Sequence, residues 1–227
     1  MAGVRCRCGE CEIRFGGCTS AVFRLECCCL DCRRAALWTE QRGGTAIGSL
    51  AAFCDATYWP ANNLDVVRGG DKLEACGLND AFRSCRVIST CCSTQLLVDN
   101  PVCQGKLAVT FPEVLVDATL PPPTFRCNIR DLPKHLQDSL PPPTCRVMGP
   151  GDRMSRSPEF TTALASVPAA EGGLNLGQLI AGLGAVRILD VPYALAGEVS
   201  SHIRSLLDSP DGYRGMLVKK ELWKPSL

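Results

Sequence analysis

Apolar and polar positions alternate along much of the first half of the chain. In "VRCRC" (4–8) and "CEIRF" (11–15) every second residue is apolar or cysteine, and "GE" between them reads as a hairpin turn. The stretches "AVFRLECC" (21–28), "LDVVR" (64–68), "SCRVI" (84–88), "TQLLV" (94–98) and "KLAVTF" (106–111) are rich in the β-branched and apolar residues of strands. Only "LDCRRAALWTEQ" (30–41) predicts a helix there. Asp31 suits its first turn, where negative charge meets the helix N-terminus, and Gly43–Gly44 would end it. After residue 150 the apolar spacing lengthens from two towards 3.6. "PEFTTALASV", "LNLGQLIAGLGAV" and "YALAGEVSSHIRSLL" predict two or three helices, followed by a short closing segment, "YRGMLVKKELW". The fold class is therefore mainly β, with a C-terminal, partly helical extension.

Proline divides the chain. Eight of its sixteen prolines fall between residues 118 and 150, where "LPPPT" occurs twice, at 120–124 and 140–144. Triple prolines favour extended segments without ladder hydrogen bonds. Three parts follow: a cysteine-rich domain (1–117), a proline-rich linker or strapping arm (118–150) and the extension (151–227).

Composition removes several functions. The 227 residues carry a formal net charge of +1, so nothing global favours nucleic acid or an acidic membrane surface. No run of 18 apolar residues predicts a membrane span, and "MAGVRCRCGECEIRFGG" lacks the apolar centre of a secretion signal. A reducing cytoplasmic location is expected, and there sixteen cysteines read as free thiols or metal ligands rather than disulfides.

Fourteen of those cysteines lie at or before Cys103. Cys27-x-Cys29-x-x-Cys32 places three sulfurs within six residues, at the end of a predicted strand and the start of the predicted helix. A turn there can aim three thiolates at one zinc ion, which prefers tetrahedral thiolate coordination; three protein ligands leave a corner open. Cys6 and Cys8 would share one face of a strand and reach a second ion with partners from elsewhere, and "STCCSTQL" (89–96) offers Cys91 and Cys92. Cys11 and Cys18 could each replace a missing ligand. Arg33 and Arg34, following Cys32, can offset thiolate charge and hold a substrate carboxylate, or lie solvated on the helix. Cys28, Cys54, Cys76, Cys103, Cys127 and Cys145 read as core or surface thiols, and His135 and His202 as surface residues.

"CRCG", "CCCLDCRR" and "CCSTQL" together resemble the glutathione-dependent formaldehyde-activating enzyme family, also called the centromere protein V family. Its pattern is C-x-C-G, then C-x-C-x-x-C-R-[RK], then F-C-x-x-C-G-[ST]-x-L, and the resemblance covers about residues 4–115. In the third element Ser89 stands where the family has its first cysteine, Cys92 takes the second, and Cys91 is displaced by two residues. The resemblance implies an Mss4-like zinc-binding β-tent with two zinc ions. One is structural, held by the first and third elements; the other is bound by Cys27, Cys29 and Cys32. It further implies a carbon–sulfur lyase-type reaction joining formaldehyde, or another small aldehyde, to glutathione or another small thiol. The competing expectation is a non-catalytic, zinc-stabilised interaction module that meets a protein partner through the proline-rich arm.

Overall fold

A computed structural model of the chain describes residues 1–47, 53–78, 84–149, 151–168 and 173–191. Among these the strands form two sheets. The smaller is antiparallel, in the order β10 (Leu115–Val116), β1 (Gly3–Arg5), β2 (Glu12–Phe15) and β5 (Leu64–Arg68). The larger has nine strands. Its order is β12 (Arg146–Val147), β11 (Phe125–Cys127), β3 (Phe23–Cys27), β4 (Cys54–Pro60), β9 (Leu107–Thr110), β8 (Gln95–Asp99), β7 (Cys85–Ser89), β6 (Leu73–Gly77) and β13 (Arg187–Ile188). Among the described residues four α-helices accompany them: α1 (Leu30–Gln41), α2 (Lys134–Asp138), α3 (Pro158–Ser166) and α4 (Leu176–Gly182). The fold is mainly β, and none of its described helices is long and apolar enough to cross a membrane.

Alternation explains how the layers pack, because successive strand residues face opposite ways. Phe23 and Leu25 of β3, Ala56 and Tyr58 of β4 and Phe125 of β11 share one apolar cluster with Phe160 and Ala163 of α3. Phe160 meets Phe23 edge-on, with ring centroids 5.5 Å apart. Trp59, between Tyr58 and Pro60, enters a different cluster, with Val4, Ile13 and Phe15 of the smaller sheet. Its ring stacks on Phe15 at 5.0 Å. Leu176, Leu179 and Ile180 of α4 close that cluster, so the described part of the extension packs on both cores. Trp38 of α1 belongs to a third cluster, with Ile88, Leu189 and Val191.

The helix expected at 30–41 has those bounds, and the glycine after its C-cap residue, Gly43, takes φ +79°. The strand expected over 4–8 stops at Arg5 because Gly9, at φ +82°, folds the chain into a turn in which its N–H donates to the Cys6 carbonyl. The sequence pattern missed β4, "CDATYWP", because both of its faces are largely buried and no alternation shows. The proline-rich arm is an ordered strap, since β11 pairs in parallel with β3 and Arg126 of β11 donates to the Pro141 carbonyl. The helix expected at 193–207, the closing segment at 213–223 and His202 lie outside the described residues.

One ion cluster pins the smaller sheet. The buried Glu12 carboxylate accepts from Arg5 (2.9 Å), Arg14 (2.6 Å) and Arg68 (2.6 Å), joining β1, β2 and β5. Burial opposes its ionisation, but the three guanidinium groups outweigh this and hold its pKa below the ordinary value. Arg5 and Arg68 are about half exposed, which screens the gain. Replacing Glu12 by Gln should cost about 1–3 kcal/mol at neutral pH. Because the folded pKa is depressed, this stability is present above the unfolded carboxyl value, near 4.3, and is lost as pH falls further. Denaturant unfolding of both proteins should therefore show a gap at about pH 7 that closes towards pH 3.

Candidate metal centres

The turn after β1 and the turn between β7 and β8 meet at one point. Cys6, Cys8, Cys91 and Cys92 lie there with all four sulfurs within 4.8 Å of one another. The separations are 3.5 Å for Cys6–Cys8, 3.8 Å for Cys6–Cys91 and 3.3 Å for Cys8–Cys91. Four thiolates at about 2.3 Å from one metal ion stand about 3.8 Å apart, so the set has the size of a tetrahedral site. Cys6 and Cys8 converge through the turn and not through a shared strand face, and the Cys11 N–H donates to the Cys6 sulfur at 3.2 Å. Gly69, at φ +68°, lets the next turn press against this knuckle: a Cβ there would lie 2.3 Å from the Glu10 carbonyl oxygen.

Ser89 is buried and holds the opposite turn. Its Oγ accepts from the Thr94 N–H at 3.1 Å and lies 3.4 Å from the Cys92 sulfur. Burial resists ionisation of Cys92, but hydrogen bonds from Ser89 and Thr94 outweigh it and bring the thiol down to about 6. Burial pushes the Cys91 thiol up to about 11. Ser89 thus supports the neighbouring Cys92, and Cys91 joins the same group of sulfurs. Cys11 touches Cys91 at 3.8 Å but turns towards the carbonyls of Gly69 and Lys72, at 3.5 and 3.9 Å.

The second centre forms where β3 runs into α1. Cys27 ends the strand; Cys29 is the N-cap of the helix, its sulfur accepting from the Cys32 N–H at 3.3 Å. The sulfurs of Cys27, Cys29 and Cys32 lie within 4.8 Å of one another. Hydrogen bonds from Cys127, Cys29 and Cys32 draw the buried Cys27 thiol well below its ordinary pKa. Two residues that follow β11 complete the surroundings. Asn128 donates to the Cys27 sulfur at 3.6 Å, and Asp131 accepts from the Leu30 N–H at 3.4 Å, at the start of α1. Burial pushes the Asp131 carboxyl up to about 6.

All seven cysteines chosen from the sequence thus fall into these two groups, which could each hold a metal ion. The two arginines lie inside the fold. Arg33 and Arg34 are buried, at 4% and 0% exposure, and so are not solvated helix residues. Arg34 donates to the Val191 carbonyl at 2.6 Å and lies 3.6 Å from Asp31, which anchors α1 to the chain beyond β13. Cys28 is fully buried and outside both groups, while Cys18 is half-buried beside the first core. All sixteen cysteines are free thiols. A cleft of about 550 Å³ borders the first centre, lined by Arg5, Cys6, Arg7, Glu40, Thr45 and Glu113 among others.

No protein-family model matches the chain, and no curated protein matches it. The environment of Cys127, Asn128 and Asp131 was missed in the sequence because the arm shows no strand alternation. The available signal was "RCN" inside a short unbroken run between two proline clusters. A variant with Cys91→Ala should bind one equivalent of metal fewer than the wild type, whereas Cys18→Ala should bind as much; elemental analysis of the purified proteins measures both.

Proposed function

We propose that the chain is a divergent two-zinc protein of the formaldehyde-activating, or centromere protein V, type, built on an Mss4-like β-tent. In this reading the first centre is structural, and the second takes a small thiol such as glutathione in a carbon–sulfur lyase-type reaction with a small aldehyde, in the reducing cytoplasm. The observation behind it is an asymmetry: four sulfurs are mutually close in one centre and three in the other. Closed four-thiolate sites are structural, whereas a protein site with a free corner admits a further ligand. The all-sulfur donor sets, with tetrahedral spacing in the first, suit zinc.

A zinc ion held by Cys27, Cys29 and Cys32 would favour the thiolate form of a thiol bound beside them. The protein's own contribution is placement. Cys29 and Cys32 are partly buried residues packed against the second core, while Cys27 is buried within it. The Asn128 amide steadies the Cys27 sulfur. In the condensation, the substrate sulfur bonds to the carbonyl carbon, the C=O π pair moves onto oxygen, and that oxygen takes up the proton the thiol gave.

The second reading is a non-catalytic, zinc-stabilised module that meets a protein partner. Two observations favour it: Arg34 is engaged inside the fold, and the 550 Å³ cleft has none of the second centre's cysteines in its lining. Zinc-loaded protein mixed with glutathione and formaldehyde separates the two. The enzyme reading expects adduct formation above the spontaneous rate at some pH between about 6 and 8, abolished by Cys29→Ser while one zinc remains bound. No acceleration across that range overturns it in favour of the module.

A further inference from the structure

Strand β3 runs between two neighbours that each bring a cysteine level with Cys27: Cys54 on β4 and Cys127 on β11. Directly paired residues project from the same face of a sheet, so the three sulfurs form a row. The flanking members of that row differ in what they touch. The Cys54 sulfur points to the Ile47 carbonyl, at 3.8 Å. The Cys127 thiol is hydrogen-bonded to the Cys27 sulfur. The Asn128 side-chain nitrogen bridges the pair, 3.3 Å from the Cys127 sulfur and 3.6 Å from that of Cys27. Asn128 reaches back to both because it sits at φ +60°, a left-handed conformation that asparagine tolerates better than most residues.

Cys27 therefore has three sulfur neighbours, Cys29, Cys32 and Cys127, as each vertex of a four-thiolate tetrahedron does. Cys127 belongs to this arrangement only in part. It lies against Cys27, but the set with every sulfur within 4.8 Å is Cys27, Cys29 and Cys32. Its backbone is fixed: Arg126 pairs with buried Glu26 and donates to the Pro141 carbonyl, and the Cys28 N–H donates to the Cys127 carbonyl at 3.0 Å. With that backbone held, side-chain rotation is the movement left to the Cys127 sulfur.

We propose that Cys127 is a hinged fourth ligand of the second centre, occupying the corner left by Cys27, Cys29 and Cys32 when no outside thiol is bound and yielding it when one arrives. The exchange balances without any other reactant. A metal ion held there would exchange its bond to the Cys127 sulfur for one to the incoming sulfur, and the incoming thiol's proton would pass to the Cys127 thiolate. The displaced thiol then rests where the structure shows it, donating to Cys27. This inference rests on the second centre being the one that takes a small thiol.

The test is ¹¹³Cd NMR of the full chain loaded with cadmium in both centres, since the shift reports the number of bound thiolates at each. Without added thiol, both resonances should fall in the four-thiolate range. Cys127→Ser should move one of them to the three-thiolate range, and glutathione should return it. Cys54→Ser, which alters the other flank of Cys27, should move neither. A wild-type resonance already in the three-thiolate range, and shifted by glutathione, overturns the role of Cys127 and leaves the substrate-thiol reading standing. A Cys127→Ser resonance that glutathione does not shift overturns the hinge and that reading together, as does binding of a single cadmium ion. Asn128→Ala keeps every sulfur and should weaken metal retention at this centre roughly 10–100-fold in chelator competition. Unchanged retention counts against the proposal.

Discussion

Sulfur atoms packed at 3.3–3.8 Å cannot all carry charge unless a cation sits among them. That constraint governs both cysteine groups. Within each, one thiol is drawn below its ordinary pKa, Cys92 in the first and Cys27 in the second, while Cys8 and Cys91 in the first and Cys29 and Cys32 in the second are pushed up. A divalent ion would relieve the same crowding by replacing shared protons with direct bonds, because thiolate ligands must be deprotonated to bind. The hydrogen-bonding groups needed to orient such ligands are already in place. Ser89 and Thr94 serve the first centre, and Asn128 serves the second.

The rest of the architecture is organised to bring those sulfurs together. Turns, not strand faces, deliver the first group, and they are held by backbone groups: the Cys11 N–H on the Cys6 sulfur and the close approach of Gly69. The second group uses a strand end and a helix start, with α1 kept in place by buried Trp38 and by Arg34. Arg34, which reads from the sequence as a substrate handle or a solvated residue, is buried and ties α1 to the Val191 carbonyl. Arg guanidinium suits this because its planar fork can serve several acceptors at once.

Much of this was legible in the sequence, for identifiable reasons. The 30–41 helix was readable because its first turn carries Asp31 and glycine follows its end. Five of the strands were readable from β-rich apolar runs, and the seven clustered cysteines from their spacing. Strand β4 was not, because a strand buried on both faces loses its period. Neither was β11, whose three residues are defined by pairing with β3 and not by any pattern of their own. The role of Ser89 was hidden too, because nothing in the spacing places its Oγ beside Cys92.

The parallel pairing of β11 with β3 has a consequence for biosynthesis. Asn128 and Cys27 are 101 residues apart in the chain, and Cys8 and Cys91 are 83 apart. At roughly 5–20 residues per second, the earliest thiols wait several seconds for their partners to leave the ribosome. During that interval the N-terminal sulfurs lack those partners. Completion of the first cluster is therefore a late event, and the strap decides when Asn128 reaches the second.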